Sequence, residues 1–276
     1  MIEDTIQSVL SQSYKEFELI IVDDGSTDNT QVIIERLVDS RIRYIHQNNY
    51  ERGMARNRGI YEAKGRFVLF LDSDDQMLPY CLDTLAQAIA LNPEAGILSY
   101  AYYKMRDGKK QKVSVSDQLG EIGIGAVLLK GNPFACNFCI DKTQKVLSLF
   151  NEDREYSIME DWMFLIVNTQ NILFHYIDIP LIILNDHNQR SMRSNNETII
   201  QRRIRANDWI LCHIKLSPKE AKVLMAYTKY FCAIHSYIDH NFISARKYLS
   251  AAAGEIGWDW DFRKLQFKIF LKRMIK

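Results

Sequence analysis

"FVLFLDSDDQ", residues Phe67 to Gln76, joins a run of large apolar residues to three carboxylates, Asp72, Asp74 and Asp75. The apolar run has the length of a buried strand, and the strand must stop where the acids begin. Ser and Asp are ordinary turn and helix-capping residues, so turn chemistry accounts for one acid here. Three close acids repel one another, whereas a divalent cation needs several hard oxygen ligands converging on one point. The stretch by itself leaves a turn and a ligand site both open, and the rest of the chain decides between them.

Working outward, "FELIIVDDGS" is a second strand-length run that ends in acids, Asp23 and Asp24. Helical patterns separate the strands. "IEDTIQSVL" puts Ile2, Ile6, Val9 and Leu10 on one face, and "DNTQVIIERLVD" follows a capping Asp28. "RIRYIHQ" reads as a short strand, "GMARNRGIYEAKG" as a helix closed by Gly65, and Pro79 opens the helix "PYCLDTLAQAIALN". Buried strands alternating with helices indicate an α/β protein with a mostly parallel, Rossmann-like sheet and helices on both faces. From Ala95 the pattern changes. "ILSYAYYKMRDGKKQKVSV" predicts a hairpin around Asp107-Gly108. "EIGIGAVLLK", "TQKVLSLF" and "EDWMFLIVNTQ" predict helices around a strand "ACNFCI", and "ILFHYIDIPLIILND" predicts one or two strands. Beyond Asn195 every pattern is helical, which divides the chain into 1–195, an α/β domain, and 196–276, a helical C-terminal extension.

Composition narrows the class. With 276 residues, 47% hydrophobic and 25% charged, the chain has material for one sizeable core and an appendage. A net charge of +1 provides no field to attract nucleic acid. No apolar run reaches the length of a transmembrane helix, and the N-terminus shows no signal peptide. Five scattered cysteines suit a reducing cytoplasm. Cys136 and Cys139 have CxxC spacing, but no second pair or nearby histidines complete a zinc site, so they read as ordinary thiols.

In open α/β sheets ligands bind beyond the carboxyl ends of the strands. Two strands that both end in acids put Asp23, Asp24, Asp72, Asp74 and Asp75 on one rim, which favours a ligand site over coincident turns.

These residues resemble a known family. "IVDDGSTDNT", "ARNRGIYEAKGRFVLFLDSDD" and the later "MEDW" look like the family 2 inverting nucleotide-sugar glycosyltransferases of GT-A fold, over about Ile2 to Ser194. The resemblance implies that Asp23 or Asp24 contacts the base and ribose of a nucleotide, with a carboxylate accepting from N3–H of uracil. It implies that Asp72 and Asp74, with Asp75 joining or orienting them, hold Mn²⁺ or Mg²⁺ against a departing diphosphate, Asp72 also lying at the nucleotide. Gly53 would allow close backbone approach, and Arg56 would lie near the phosphates or, with Asn57, brace the helix. Asp161 would be the base that takes the acceptor proton, kept ionised by its helix N-terminus, with Glu160 contacting the acceptor or supporting the loop. His187, with Ser191 and Arg193 in "LNDHNQRSMRS", loosely matches a histidine near the metal or diphosphate, although Leu184-Asn185-Asp186 replace the usual lead-in.

The implied activity is metal-dependent inverting transfer from a nucleotide sugar, a UDP-sugar, to a saccharide or lipid-linked acceptor, as in cell-surface polysaccharide synthesis. The family begins with an apolar strand that this sequence lacks ahead of "IEDTIQSVL", and loss of an interior strand would leave unpaired edges. An inactive truncated remnant or a nucleotide-binding protein is therefore the alternative. A phosphohydrolase with Asp-x-Asp is the more distant one, because Gln76 stands where such enzymes carry Thr or Val. In the tail, Lys264, Lys268, Lys272 and Lys276 follow one helical side and Phe267, Phe270, Leu271 and Met274 another. That pattern predicts a last helix that docks its apolar face on the protein, or lies peripherally on an anionic membrane.

Overall fold

Leu19–Asp24 (β1) pairs in parallel with Ile42–Gln47 (β2), Asp23 and Asp24 standing opposite His46 and Gln47. The computed structural model describes residues 1–188 and 195–274, with side chains to 272. Ser191, Arg193, Lys276 and the side chain of Met274 fall outside the described residues.

The remaining strands form one six-stranded sheet. It holds Phe67–Leu69 (β3), Gln76–Met77 (β4), Ile97–Arg106 (β5), Lys109–Val113 (β6), Phe138–Asp141 (β7) and Phe174–Asn185 (β8), in the order β3-β7-β5-β8-β4, with β6 paired to β5. The sheet is more mixed than the alternation of elements predicts. Parallel pairing occurs in β1–β2 and β5–β8, while β7 enters antiparallel between β3 and β5. That insertion comes from "ACNFCI", whose run of buried residues gives no clue to strand direction. "ILFHYIDIPLIILND" forms a single strand, with register shifts around Ala101 of its partner. "TQKVLSLF" is not a helix but a turn-rich segment.

Helices Ile2–Leu10 (α1), Thr30–Glu35 (α2), Glu51–Glu62 (α3), Cys81–Leu91 (α4), Ser116–Lys130 (α5) and Glu160–Asn168 (α6) cover the sheets. Asp28, expected as the cap of α2, stands one residue ahead of the N-cap Asn29 and accepts from the N–H and hydroxyl of Thr30. α5 is broken at Gly123, whose φ of 74° suits a residue without Cβ. The main core lies between the sheet and α5–α6. Phe150 and Phe164 stack at 4.1 Å, Phe138 and Phe164 at 5.4 Å, each pair adding about 0.5–1.5 kcal/mol beyond area burial.

Asn196–His213 (α7), Pro218–Ile238 (α8), Phe242–Ile256 (α9) and Trp260–Met274 (α10) follow. Ile199, Ala206 and Ile210 of α7 enter the same core as Trp162, while Ala233, Leu249 and Phe262 build a second cluster among α8–α10. α10 docks, but by Phe262, Leu265 and Ile269; Phe267, Phe270 and Leu271 are exposed. No helix among the described residues is long and apolar enough to cross a membrane.

β1 pairs only with β2, and β3 only with β7, among the described residues. Their other edges face one cleft of about 2200 Å³, lined by Ile20, Val22, Val68 and Phe70 below the acidic rim.

Candidate active site

The stretch from Phe67 to Gln76 leaves the sheet ladder at Phe70, earlier than the apolar run suggests. Its backbone then turns, Asp75 N–H donating to Asp72 C=O at 3.1 Å. Thr5 of α1 donates its hydroxyl to Ser73 C=O at 2.9 Å, and Asn185 Nδ2 donates to Asp74 C=O at 2.6 Å. With the loop carbonyls held from both sides, the side chains point inward. Asp72, Asp74 and Asp75 each present an oxygen within 4.8 Å of the others. Asp75 is buried and accepts from the Asn185 N–H at 2.9 Å, while Asp72 and Asp74 face the cleft. His187 Nε2 sits 2.8 Å from Asp74 Oδ2. The donor set, hard carboxylate oxygens beside one imidazole at the cleft wall, fits Mn²⁺ or Mg²⁺.

Across the cleft, Asp23 is buried and accepts from Ser26 N–H at 2.8 Å and Tyr44 hydroxyl at 2.6 Å. Burial opposes its ionisation, but these hydrogen bonds and His46 outweigh it and hold its carboxyl below the usual range. Burial, and then the bond to Asp23, push the Tyr44 phenol up to about 12. Asp24 is more open; its Oδ1 accepts from Gln47 Nε2 at 2.8 Å and Tyr50 N–H at 2.9 Å.

α3 supplies the link to the third group of acids. Arg56, its side chain 11% exposed, donates from Nη1 to Glu160 at 2.6 Å and from Nη2 to Asp72 at 3.2 Å, and stacks over Phe150. Asn57 points the other way and braces the helix, donating to Phe150 C=O and Glu152 and accepting from Phe150 N–H. The close approach at Gly53 is to this protein's own backbone: a Cβ there would stand 2.2 Å from the Asn151 carbonyl.

Glu160 and Asp161 begin α6 after the N-cap Met159, which follows Ile158, a β-branched residue at φ 69°. Such backbone costs about 1–3 kcal/mol and persists where surrounding contacts fix it. Glu160 is buried, and its Oε2 has no hydrogen-bond partner. Asp161 lies deep but opens to the cleft, and its Oδ1 accepts from its neighbour's N–H, Trp162, at 2.7 Å. The helix N-terminus does not set its pKa as expected. Burial and then the charge of Glu160 push the carboxyl up to about 6, outweighing Arg56 and the Trp162 N–H.

Asp23, Asp24, Asp72, Asp74, Glu160, Asp161, Arg56 and His187 thus share one cleft, with Asp75 just behind it. Sequence reasoning misses Thr5 and Asn185, which fix the acidic loop, and Tyr44, which holds Asp23. None belongs to a short motif; each is visible only once α1, β2 and β8 are placed.

The glycosyl transferase family 2 model matches residues 1–140. A UDP-Glc:α-D-GlcNAc-diphosphoundecaprenol β-1,3-glucosyltransferase of Escherichia coli is 40% identical over 142 residues, covering 50% of this chain and 55% of the relative. The chain thus spans about half the length of that relative. Among solved structures, Staphylococcus aureus TarS 1–349 in complex with UDP-GlcNAc superposes with a TM-score of 0.66 at 18% identity, covering 92% of this chain and 77% of that one. The mannosyltransferase PcManGT of Pyrobaculum calidifontis, in complex with GDP-Man and Mn²⁺, gives 0.60 at 17%, covering 98% and 76%. At such identities the likeness speaks for the fold, the α/β GT-A architecture. With more than half of its length matched and the acidic rim in place, the chain belongs to glycosyl transferase family 2.

Proposed function

We propose that this protein transfers a sugar, with inversion, from a nucleoside diphosphate sugar to a lipid-linked or saccharide acceptor, and that the donor is a UDP-sugar. The observation that carries the reading is one cleft in which Asp72 and Asp74, backed by Asp75, are tied to Glu160 and its neighbour Asp161 through Arg56. The E. coli relative, named for a diphosphoundecaprenol-linked acceptor and a UDP-Glc donor, supports the substrate classes. The Mn²⁺ in the P. calidifontis complex supports the cofactor.

In this reading Asp161 accepts the proton of the acceptor hydroxyl as its oxygen bonds to the anomeric carbon. The bond from that carbon to the diphosphate oxygen breaks, and its electron pair leaves with the diphosphate. A divalent cation held by Asp72 and Asp74, beside Asp75 and His187, would supply charge neutralisation for the leaving group. Arg56 fixes Asp72 and Glu160 in position. Asp24, the more open acid of its pair, receives the base, and Asp23 anchors the strand end behind it. Residues 1–195 carry the chemistry, and the helices of 196–276 brace it. The five unpaired cysteines agree with a cytoplasmic setting. Exposed Phe267, Phe270 and Leu271 beside exposed Lys264, Lys268 and Lys272 support peripheral contact with an anionic membrane.

The test is turnover of a panel of UDP-sugars with Mn²⁺ and a GlcNAc-diphosphate-lipid acceptor, with product anomeric configuration read by proton NMR. A β-linked product from an α-linked donor supports the reading. Retention, or an absence of transfer to any acceptor by the folded chain, contradicts it.

A further inference from the structure

Among the described residues, Arg203 of α7 is a cation without a counter-ion. Its side chain is buried at 2% exposure, and its Nε and Nη2 have no hydrogen-bond partner. Among the described residues no carboxylate pairs with it. Its guanidinium carbon lies 3.4 Å from the ring centre of Trp162 and 5.2 Å from that of Phe231. Trp162 is itself fixed, its indole N–H donating to Leu128 C=O at 2.8 Å. The two aromatic faces hold the guanidinium in one orientation and offset part of its desolvation, but they satisfy none of its N–H donors. A buried charge left without such partners is costly and calls for an anion.

The position of the group suggests which anion. Arg203, Trp162 and Phe231 all line the cleft, and Trp162 directly follows Asp161. Lys130, at the end of α5 and two residues beyond the Leu128 that accepts from Trp162, lines the same cleft and stands 5.1 Å from the Tyr227 ring centre. A planar guanidinium presenting parallel N–H donors suits phosphoryl oxygens, and a neighbouring ammonium adds a second positive charge. Arg203 packs on α6 rather than on the Asp72–Asp75 loop, which places it apart from the atoms proposed to meet the donor diphosphate.

We propose that Arg203, held between Trp162 and Phe231 and assisted by Lys130, forms an anion subsite for a phosphate or diphosphate group carried by the acceptor. Anion binding stands on Arg203 itself; only the acceptor as its source rests on the glycosyltransferase reading. A diphosphate bound here would be the specificity element that admits lipid-linked acceptors beside the base.

Calorimetric titration of inorganic pyrophosphate into the full chain in EDTA tests the subsite without metal or turnover. Saturable binding is expected, weakened at least tenfold by Arg203→Met, which keeps apolar bulk over Trp162, and severalfold by Lys130→Gln, an exposed change that spares the core. Arg203→Lys should recover part of the affinity, with near-ultraviolet circular dichroism confirming the fold of each variant. No binding by the wild type, or equal binding by the folded Arg203→Met protein, overturns the subsite. Should Arg203→Met not fold, unchanged binding by Lys130→Gln overturns it instead. Displacement by excess UDP would assign the anion to the donor and overturn the acceptor assignment. In turnover, Arg203→Met should lower kcat/KM for a GlcNAc-diphosphate-lipid at least tenfold while leaving an octyl GlcNAc acceptor unchanged. Equal losses on both would mean a structural role. If no donor turns over at all, the glycosyltransferase reading fails while the pyrophosphate titration still decides the subsite.

Discussion

Arg56 and Glu160, 104 residues apart in sequence, meet at 2.6 Å in a part-buried ion pair that joins α3 to the first turn of α6. The same guanidinium reaches Asp72, so one side chain sets the spacing between the acidic loop and the helix that carries Asp161. Arg56→Met would leave Glu160 buried with both carboxyl oxygens unpartnered. Such losses cost about 3–5 kcal/mol. Urea unfolding should show that drop; a loss below about 1 kcal/mol would mean that the pair is not what holds the two elements together.

Asp161 gives a pH dependence with a definite sign. Its folded carboxyl titrates at about 6, above the unfolded value near 3.8. The folded state therefore favours the protonated form, and that stabilisation is complete below the unfolded value and lost as pH rises through about 6. Asp161→Asn, a neutral isostere, should match the wild type in stability near pH 4 and exceed it at pH 8 by about 1–3 kcal/mol. Activity runs the opposite way. Wild-type kcat/KM should fall about tenfold per pH unit on the acid side of the transition, and the Asn variant should lose about 10²–10⁴ in rate. A flat profile from pH 5 to 8 would remove Asp161 from the role of base.

Two glycines of α3 make a paired test. At Gly53 an added Cβ meets the Asn151 carbonyl at 2.2 Å, whereas at Gly59 it meets only Val22 Cγ2 at 4.0 Å. Gly53→Ala should destabilise by about 1–3 kcal/mol or more, and Gly59→Ala should stabilise by up to about 1 kcal/mol. Thermal melts of the two single variants would show it; equal shifts would contradict the packing of α3 on the loop at Asn151.

Much of this was legible before the structure, and for a physical reason. An apolar run ending in Asp is a local pattern, so β1, the strand of Phe67 and the acids beyond them could be read from neighbours in sequence. Glu160-Asp161 ahead of "WMFLIVN" was legible likewise. The antiparallel entry of β7 was not, because direction depends on the connections around it. Nor was the bracing by Asn57, since its partners lie at Phe150 and Glu152. "TQKVLSLF" misled because its apolar spacing fits a helix, yet Thr143 and Gln144 bond instead to Asp141, closing a turn. In α10 the exposed Phe267 and Phe270 read as a docking face, but the chain buries Phe262, Leu265 and Ile269.

His187 and Asp74 should act together on metal affinity. His187→Ala removes a group 2.8 Å from Asp74 and should weaken Mn²⁺ binding about 10-fold. Asp74→Asn removes a ligand and should weaken it further, to about 100-fold or more. Electron paramagnetic resonance of free Mn²⁺ during titration measures both. Unchanged affinity in both variants would place the ion elsewhere.

If the acidic rim binds a nucleoside diphosphate through a divalent ion, calorimetry of UDP with the 276-residue chain shows it directly. Saturable binding in Mn²⁺ that disappears in EDTA, and in Asp74→Asn, is the predicted result. UDP binding that is indifferent to metal, or absent from a chain shown to be folded, would contradict it.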